Sequence, residues 1–173
     1  MAAVTAPLVL NIVCDSREQL PFAFAGYPVE VTTETLEAGD YSLAGFTRRI
    51  AIERKALSDL VNCLGGERER FERELARLRG YDFAAVVIES PSEILQQGRY
   101  IGKLDARAAW QSVLAFSMRY RIPFMFCRDR ADAEQTTYDL LRHFARDRQR
   151  ELAALMPMNI ENTSSENKQK GYP

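Results

Sequence analysis

Asp40, Glu53 and Lys55 bring two carboxylates and an amine into one short stretch of the chain. Asp40 lies in Gly39-Asp40-Tyr41, and twelve residues separate it from Glu53 in Ile52-Glu53-Arg54-Lys55. Two carboxylates suit a hard divalent cation such as Mg2+ or Mn2+, which prefers oxygen ligands and keeps several waters. Such a cation polarises a phosphate and lowers the pKa of a bound water. A neighbouring ammonium adds a point charge against the negative charge that develops as a phosphodiester is attacked. The same three residues also describe an ordinary strand-end salt bridge, so their surroundings must decide.

The lysine stands out against its own composition. The chain has 23 Lys plus Arg, yet its lysines are Lys55, Lys103, Lys168 and Lys170 alone. Lysine is a compact charge with a tunable pKa, whereas arginine is a fixed planar fork.

Local pattern explains how the three could meet. Arg48 to Glu53 ends in an apolar, β-branched run that reads as a buried strand. Alternation sends Glu53 and Lys55 to one face and Arg54 to the other. Gly39 suits a turn into a short strand, Tyr41 to Leu43, and Ala44-Gly45-Phe46 suits a hairpin turn. A hairpin over Tyr41 to Glu53 returns Asp40 to the side of Glu53.

Upstream, Leu8 to Val13 reads as a central strand that runs directly into Asp15-Ser16-Arg17-Glu18. Charges at the carboxyl end of such a strand occupy the edge where α/β sheets gather ligands. Downstream of Lys55, Asp59 falls in the first turn of a helix, where the helix dipole favours an acid.

These segments together resemble the ERCC4-type nuclease domain of the XPF/Mus81/Hef endonucleases, within the restriction-endonuclease-like superfamily. Val13-Cys14-Asp15-Ser16-Arg17-Glu18 is similar to the family's V-D-x-R-E entry strand. Leu36-Glu37-Ala38-Gly39-Asp40-Tyr41 is similar to its L-x-x-G-D-Y, and Glu53 to Leu60 to its E-R-K-x-x-x-D-L. Leu64-Gly65-Gly66-Glu67-Arg68 and Phe71 resemble the G-R…F that follows. The resemblance spans about residues 8 to 146, and three ordered motifs are far more specific than one. It implies Asp15, Asp40 and Glu53 around Mg2+ or Mn2+, Lys55 at the scissile phosphate, and Arg54 bracing the site or touching DNA. Arg17, Glu18, Asp59 and Arg68 become supporting or DNA-binding residues. It also implies a homodimer formed through the nuclease domain, and a branched, flapped or otherwise structured DNA substrate.

Two other readings stay open. A module of the same fold could hold DNA or a partner without cutting; inactive relatives lose an acid or the lysine, and all are present here. A restriction-type or mobile-element nuclease would need base-reading contacts, and no segment declares them.

The rest of the sequence sets bounds. A chain of 173 residues with 46% apolar content can bury one sizeable core. No stretch approaches the ~18 apolar residues of a membrane span. The opening residues lack a signal peptide's basic segment. Cys14, Cys63 and Cys127 are odd in number and show no paired spacing, which suits reduced thiols. The expected location is therefore the cytoplasm, at the nucleoid, in a prokaryotic or phage setting, or the nucleus in a eukaryote. One histidine, His143, and scattered cysteines cannot build a zinc cage.

Net charge is −1, which excludes DNA binding by bulk charge but not by a local patch. Phe71, Leu75 and Leu78 form the buried stripe of a helix, with Arg70, Arg73 and Arg77 on a salt-bridged neighbouring face. Arg68 begins that helix after Gly65-Gly66, where a phosphate could bind.

The scaffold reads as strands at Pro28 to Thr33, Tyr81 to Glu89 and Pro123 to Cys127, the last two buried. Helices are expected at Ala56 to Leu64, Ser92 to Gln97, Asp105 to Tyr120 and Asp132 to Arg150. The expected fold is α/β: a three-layer α/β/α arrangement around a central mixed sheet, with residues 1–150 as the nuclease domain. Periodicity fades from Glu151, so residues 151–173 are expected to form a disordered polar tail.

Overall fold

A computed structural model describes residues 8–156. Six strands form one sheet: β1 (Leu10–Asp15), β2 (Val29–Glu34), β3 (Tyr41–Leu43), β4 (Ile50–Lys55), β5 (Phe83–Ile88) and β6 (Phe124–Phe126). Five helices accompany them: α1 (Leu57–Leu64), α2 (Arg68–Leu78), α3 (Ser92–Gln96), α4 (Ala106–Tyr120) and α5 (Arg130–Leu155).

The strand order is β2-β1-β3-β4-β5-β6. β3 pairs antiparallel with both β1 and β4, and the remaining pairs are parallel. All strands except β3 therefore run the same way. The carboxyl ends of β1, β4 and β5 share one edge of the sheet with the start of β3. That edge carries Asp15, Asp40, Lys55 and Glu89.

Alternation along the strands sorts two cores. Ala51, Ala84, Val86 and Ile88 face helices α1 to α4. Ile50, Ile52, Ala85 and Val87 face the loop with Phe22 and Phe24 and the stripe of α5 that includes Ala133 and Leu141. The result is the expected three-layer α/β/α arrangement around a mixed sheet. Asp105 and Asp129 cap α4 and α5 by accepting hydrogen bonds from the amides of Ala108 and Asp132 at 3.0 and 2.9 Å.

Three expectations are corrected. β6 is half-buried, because it closes the sheet and has a neighbour on one side only. The strand entering Asp15 lies second from the opposite edge, beside the exposed β2. α5 continues through residues 151–155, since Glu-Leu-Ala-Ala-Leu are strong helix formers that need no apolar stripe. The remainder of the expected tail, residues 157–173, lies outside the described residues.

Candidate active site

Gly39 sets the position of Asp40. It adopts φ +78°, and a Cβ there would lie 3.0 Å from the Ala51 Cβ and 3.3 Å from the Ile52 carbonyl oxygen. Only glycine lets the chain turn this close to β4. The Asp40 amide then donates to the Ile52 carbonyl at 2.8 Å, and the Asp40 carbonyl accepts from the Asp15 amide at 2.8 Å. Between β3 and β4, Tyr41 pairs with Ile52. One step beyond it, the Asp40 side chain takes over: Oδ2 accepts the Arg54 amide at 2.7 Å.

Glu53 and Lys55 leave the same face of β4, as alternation requires. Their side chains form an ion pair, and Lys55 Nζ lies 3.9 Å from Glu74 Oε2 and 5.6 Å above the Phe71 ring. Lys55 is only 11% exposed in its side chain, yet it lines an open cleft of about 610 Å³. Asp40, Glu53, Glu18, Arg17 and Asp59 line the same cleft.

Negative charge outweighs positive around the acids. Burial pushes Asp40 up to about 6; the Arg54 amide and Lys55 oppose the rise, and Glu18 and Glu74 add to it. Burial also raises Glu53 well above the ordinary carboxylate range, and the Asp40 charge reinforces this against the pull of Lys55. Burial works against the charge of Lys55, but Glu53 and Glu74 outweigh it and hold its pKa above the ordinary lysine value. Two crowded carboxylates beside one firmly protonated amine make a hollow that favours a further cation.

The donor set fits a hard dication. Asp40 engages one oxygen with the Arg54 amide, and Glu53 engages one with Lys55. The second oxygen of each has no protein donor among the described residues. Among the described residues no group of three or more His, Cys, Asp or Glu side chains forms a ready cage. Mg2+ asks for less, since one or two carboxylates suffice when water and phosphate oxygens complete the shell.

Asp15 is placed differently from the expectation. Its Oδ1 accepts from the Arg17 amide at 2.8 Å and Nε at 2.7 Å; its Oδ2 accepts from Arg17 at 2.9 Å and from the Leu36 amide at 2.7 Å. Burial alone would raise its pKa, yet these donors outweigh burial and lower it. Both oxygens are engaged, and Asp15 is not among the residues lining the cleft. It ties the loop after β1 to the segment before Gly39.

Arg68 also turns elsewhere. It pairs with Glu72 at 3.1 Å, donates to Ser112 Oγ at 3.0 Å and stacks 4.5 Å over Phe116, so it bridges α2 to α4 outside the cleft lining. Arg54 leaves the opposite face of β4 and is held by Glu89 at 2.7 Å, with Glu18 at 3.4 Å. Arg17 remains exposed at the rim.

Arg70, Glu67 and Glu89 also lie at or beside the cleft, and the sequence pattern did not single them out. Arg70 pairs with Glu67, and both line the cleft. Their signal was the charged pair just after Gly65-Gly66, which an arginine-rich helix disguises as solvated surface. Glu89 follows β5 directly, and the parallel register of Lys55 with Ile88 brings it to the end of β4. An acid that ends an apolar strand was the available signal.

Comparison with known proteins identifies the family and the fold. The ERCC4 domain family matches residues 14–140. No curated protein matches the chain. Among solved structures, XPF from Aeropyrum pernix is similar at a TM-score of 0.60 and 23% identity, covering 86% of this chain and 74% of that one. XPF from Aeropyrum pernix in complex with DNA is similar at a TM-score of 0.62 and 22% identity, covering 87% and 74%. With a fold shared across the sheet and a family match over most of its length, the chain belongs to the ERCC4 domain family.

Proposed function

We propose that this domain is a metal-dependent DNA endonuclease that hydrolyses phosphodiester bonds in branched, flapped or otherwise structured DNA. The observation that carries the reading is the meeting of Asp40, Glu53 and Lys55 in one cleft, with a free oxygen on each acid.

Asp40 and Glu53 would hold Mg2+ or Mn2+ through those oxygens. When bound, the cation polarises the phosphate and makes bound water a stronger nucleophile. The chain's own residues do the rest. Lys55 is kept protonated by Glu53 and Glu74, so its ammonium opposes negative charge developing on the phosphate. The Arg54 amide holds the Asp40 carboxylate in place. Arg17 and Arg70, both exposed at the cleft, meet phosphates flanking the scissile one. Asp15 is assigned a bracing role rather than a ligand role, because both its oxygens are occupied.

DNA as partner draws support from family membership and from the similar XPF structure described in complex with DNA. A homodimer draws support from the open edge at β6 and from Leu114 and Met118, exposed on α4. Among the described residues no helix is long and apolar enough to cross a membrane.

The test is cleavage of labelled flap, fork, nicked and plain duplexes with Mg2+, Mn2+ or EDTA. Cuts are expected with either cation and not with EDTA. Lys55→Ala and Asp40→Asn should each lower turnover by about a hundredfold or more while DNA binding persists. Binding by the parent without cutting would assign a non-cleaving module. Recurrent cutting of plain duplex at one sequence would assign a restriction-type enzyme.

A further inference from the structure

We propose that Glu89 is a positioning residue for this cleft, fixing Arg54 and, through the Arg54 peptide, the Asp40 carboxylate. The inference rests on reading the cleft as the reaction site, and its structural half can be judged without that reading.

Asp40 is oriented by one backbone group, the Arg54 amide at 2.7 Å. The position of that amide depends on what holds the end of β4. Toward β5, the Glu89 amide donates to the Lys55 carbonyl at 3.0 Å. The Glu89 carboxylate then grips the same strand a second time. It accepts from Arg54 Nε at 2.7 Å and from an Arg54 terminal nitrogen at 3.1 Å, a two-pronged contact that fixes direction as well as distance.

A second arginine completes the clamp. Arg130, at the start of α5, donates to Glu89 at 2.5 Å, and to the carbonyls of Leu20 and Pro21 at 2.6 and 3.0 Å. Its guanidinium lies 4.8 Å from the Phe22 ring centre, on the ring that Arg54 approaches at 5.9 Å. Glu89 therefore joins three segments: the end of β4, the loop after β1 that lines the cleft, and the start of α5.

Glu18 cannot replace it. Both Glu18 oxygens stand 3.4 Å from one Arg54 nitrogen, too long for a strong bond. Arg54 is only 8% exposed, so a guanidinium released from Glu89 cannot stay where it is without a partner. Rearrangement of that guanidinium would carry the Arg54 peptide with it, and the amide of that peptide is what reaches Asp40 at the cleft.

Amide hydrogen exchange on the metal-free protein tests the proposal, in the parent, Glu89→Gln, Glu89→Asp and Glu89→Ala. Glu89→Gln keeps the shape but turns a donor toward an arginine, and it carries the test if Glu89→Ala fails to fold. The Arg54 amide should exchange about tenfold faster or more in Glu89→Gln, with partial recovery in Glu89→Asp, while Ile12 and Val13 in β1 stay within about twofold. An unchanged Arg54 amide overturns the proposal. So does equal acceleration throughout the sheet, which would mark Glu89 as a general stabiliser. In a second arm, Mg2+-dependent cleavage by Glu89→Gln should fall about tenfold with DNA affinity within about twofold. A parent that binds DNA without cutting overturns the nuclease reading alone; the exchange result still decides the role of Glu89.

Discussion

The two faces at the end of β4 treat their charges in opposite ways. On one face, Glu53 and Lys55 meet Asp40 and Glu74, and the acids outnumber the amine. On the other, Arg54 and Arg130 meet Glu89 and Glu18, and the charges balance. Both faces are largely buried, so burial is not what separates them. The balanced face is held by short, directional bonds and joins three segments of chain. The unbalanced face leaves two carboxylate oxygens without protein donors, and two acids displaced upward in pKa. A buried group that the fold fails to satisfy is a candidate for use by a ligand. A group that the fold satisfies completely holds structure in place.

This contrast can be broken most forcefully on the balanced face. Arg54→Met leaves Glu89 facing Arg130 alone and strands Glu18, both buried carboxylates. It should cost about 3–5 kcal/mol in denaturant unfolding. A loss below about 1 kcal/mol would mean the network is not held as described.

Next in size is Gly39→Ala. The added methyl meets Ala51 and the Ile52 carbonyl, and φ +78° strains any L side chain. A loss of about 1–3 kcal/mol is expected, together with weakened cation binding as Asp40 shifts. Unchanged stability and cation binding would show that the turn does not position Asp40.

The smallest effect has the opposite sign and separates the faces most cleanly. Asp40 has a folded pKa of about 6 against an ordinary value of 3.8. The folded state therefore holds this proton more tightly than the unfolded one. The resulting stability is whole below pH ~4 and is lost as pH rises through about 6. Asp15 is displaced downward, so its contribution runs the other way, present at higher pH and lost in acid. Comparing the parent with Asp40→Asn reads the first effect together with the relief of Glu53, which the Asp40 charge also pushes up. Without divalent cation near neutral pH, Asp40→Asn should be more stable by about 1 kcal/mol. Destabilisation by that variant would mean that Asp40 is a structural acid like Asp15.

The sequence made the unbalanced face legible because its geometry is local. A hairpin of thirteen residues, Tyr41 to Glu53, brings Asp40 to Glu53, and strand alternation alone puts Lys55 beside it. The engagement of Asp15 was legible only in part: Arg17, two residues on, supplies three of its four donors, and the fourth, the Leu36 amide, comes from a different segment. The contacts of Arg68 were hidden by distance along the chain: its partners Ser112 and Phe116 lie on α4, which only tertiary packing brings near. Glu89 shares this property, since parallel pairing of β4 and β5 requires a crossover that no local pattern encodes. The half-burial of β6 likewise depends on its being last in the sheet. What was readable is what neighbours in sequence determine.

Calorimetric titration of the metal-free protein with Mn2+ near neutral pH decides whether Asp40 and Glu53 share a cation. One class of binding is expected, abolished by Asp40→Asn and by Glu53→Gln and retained by Asp15→Asn wherever it remains folded. Binding that survives both cleft substitutions, or that depends on Asp15 instead, would contradict it.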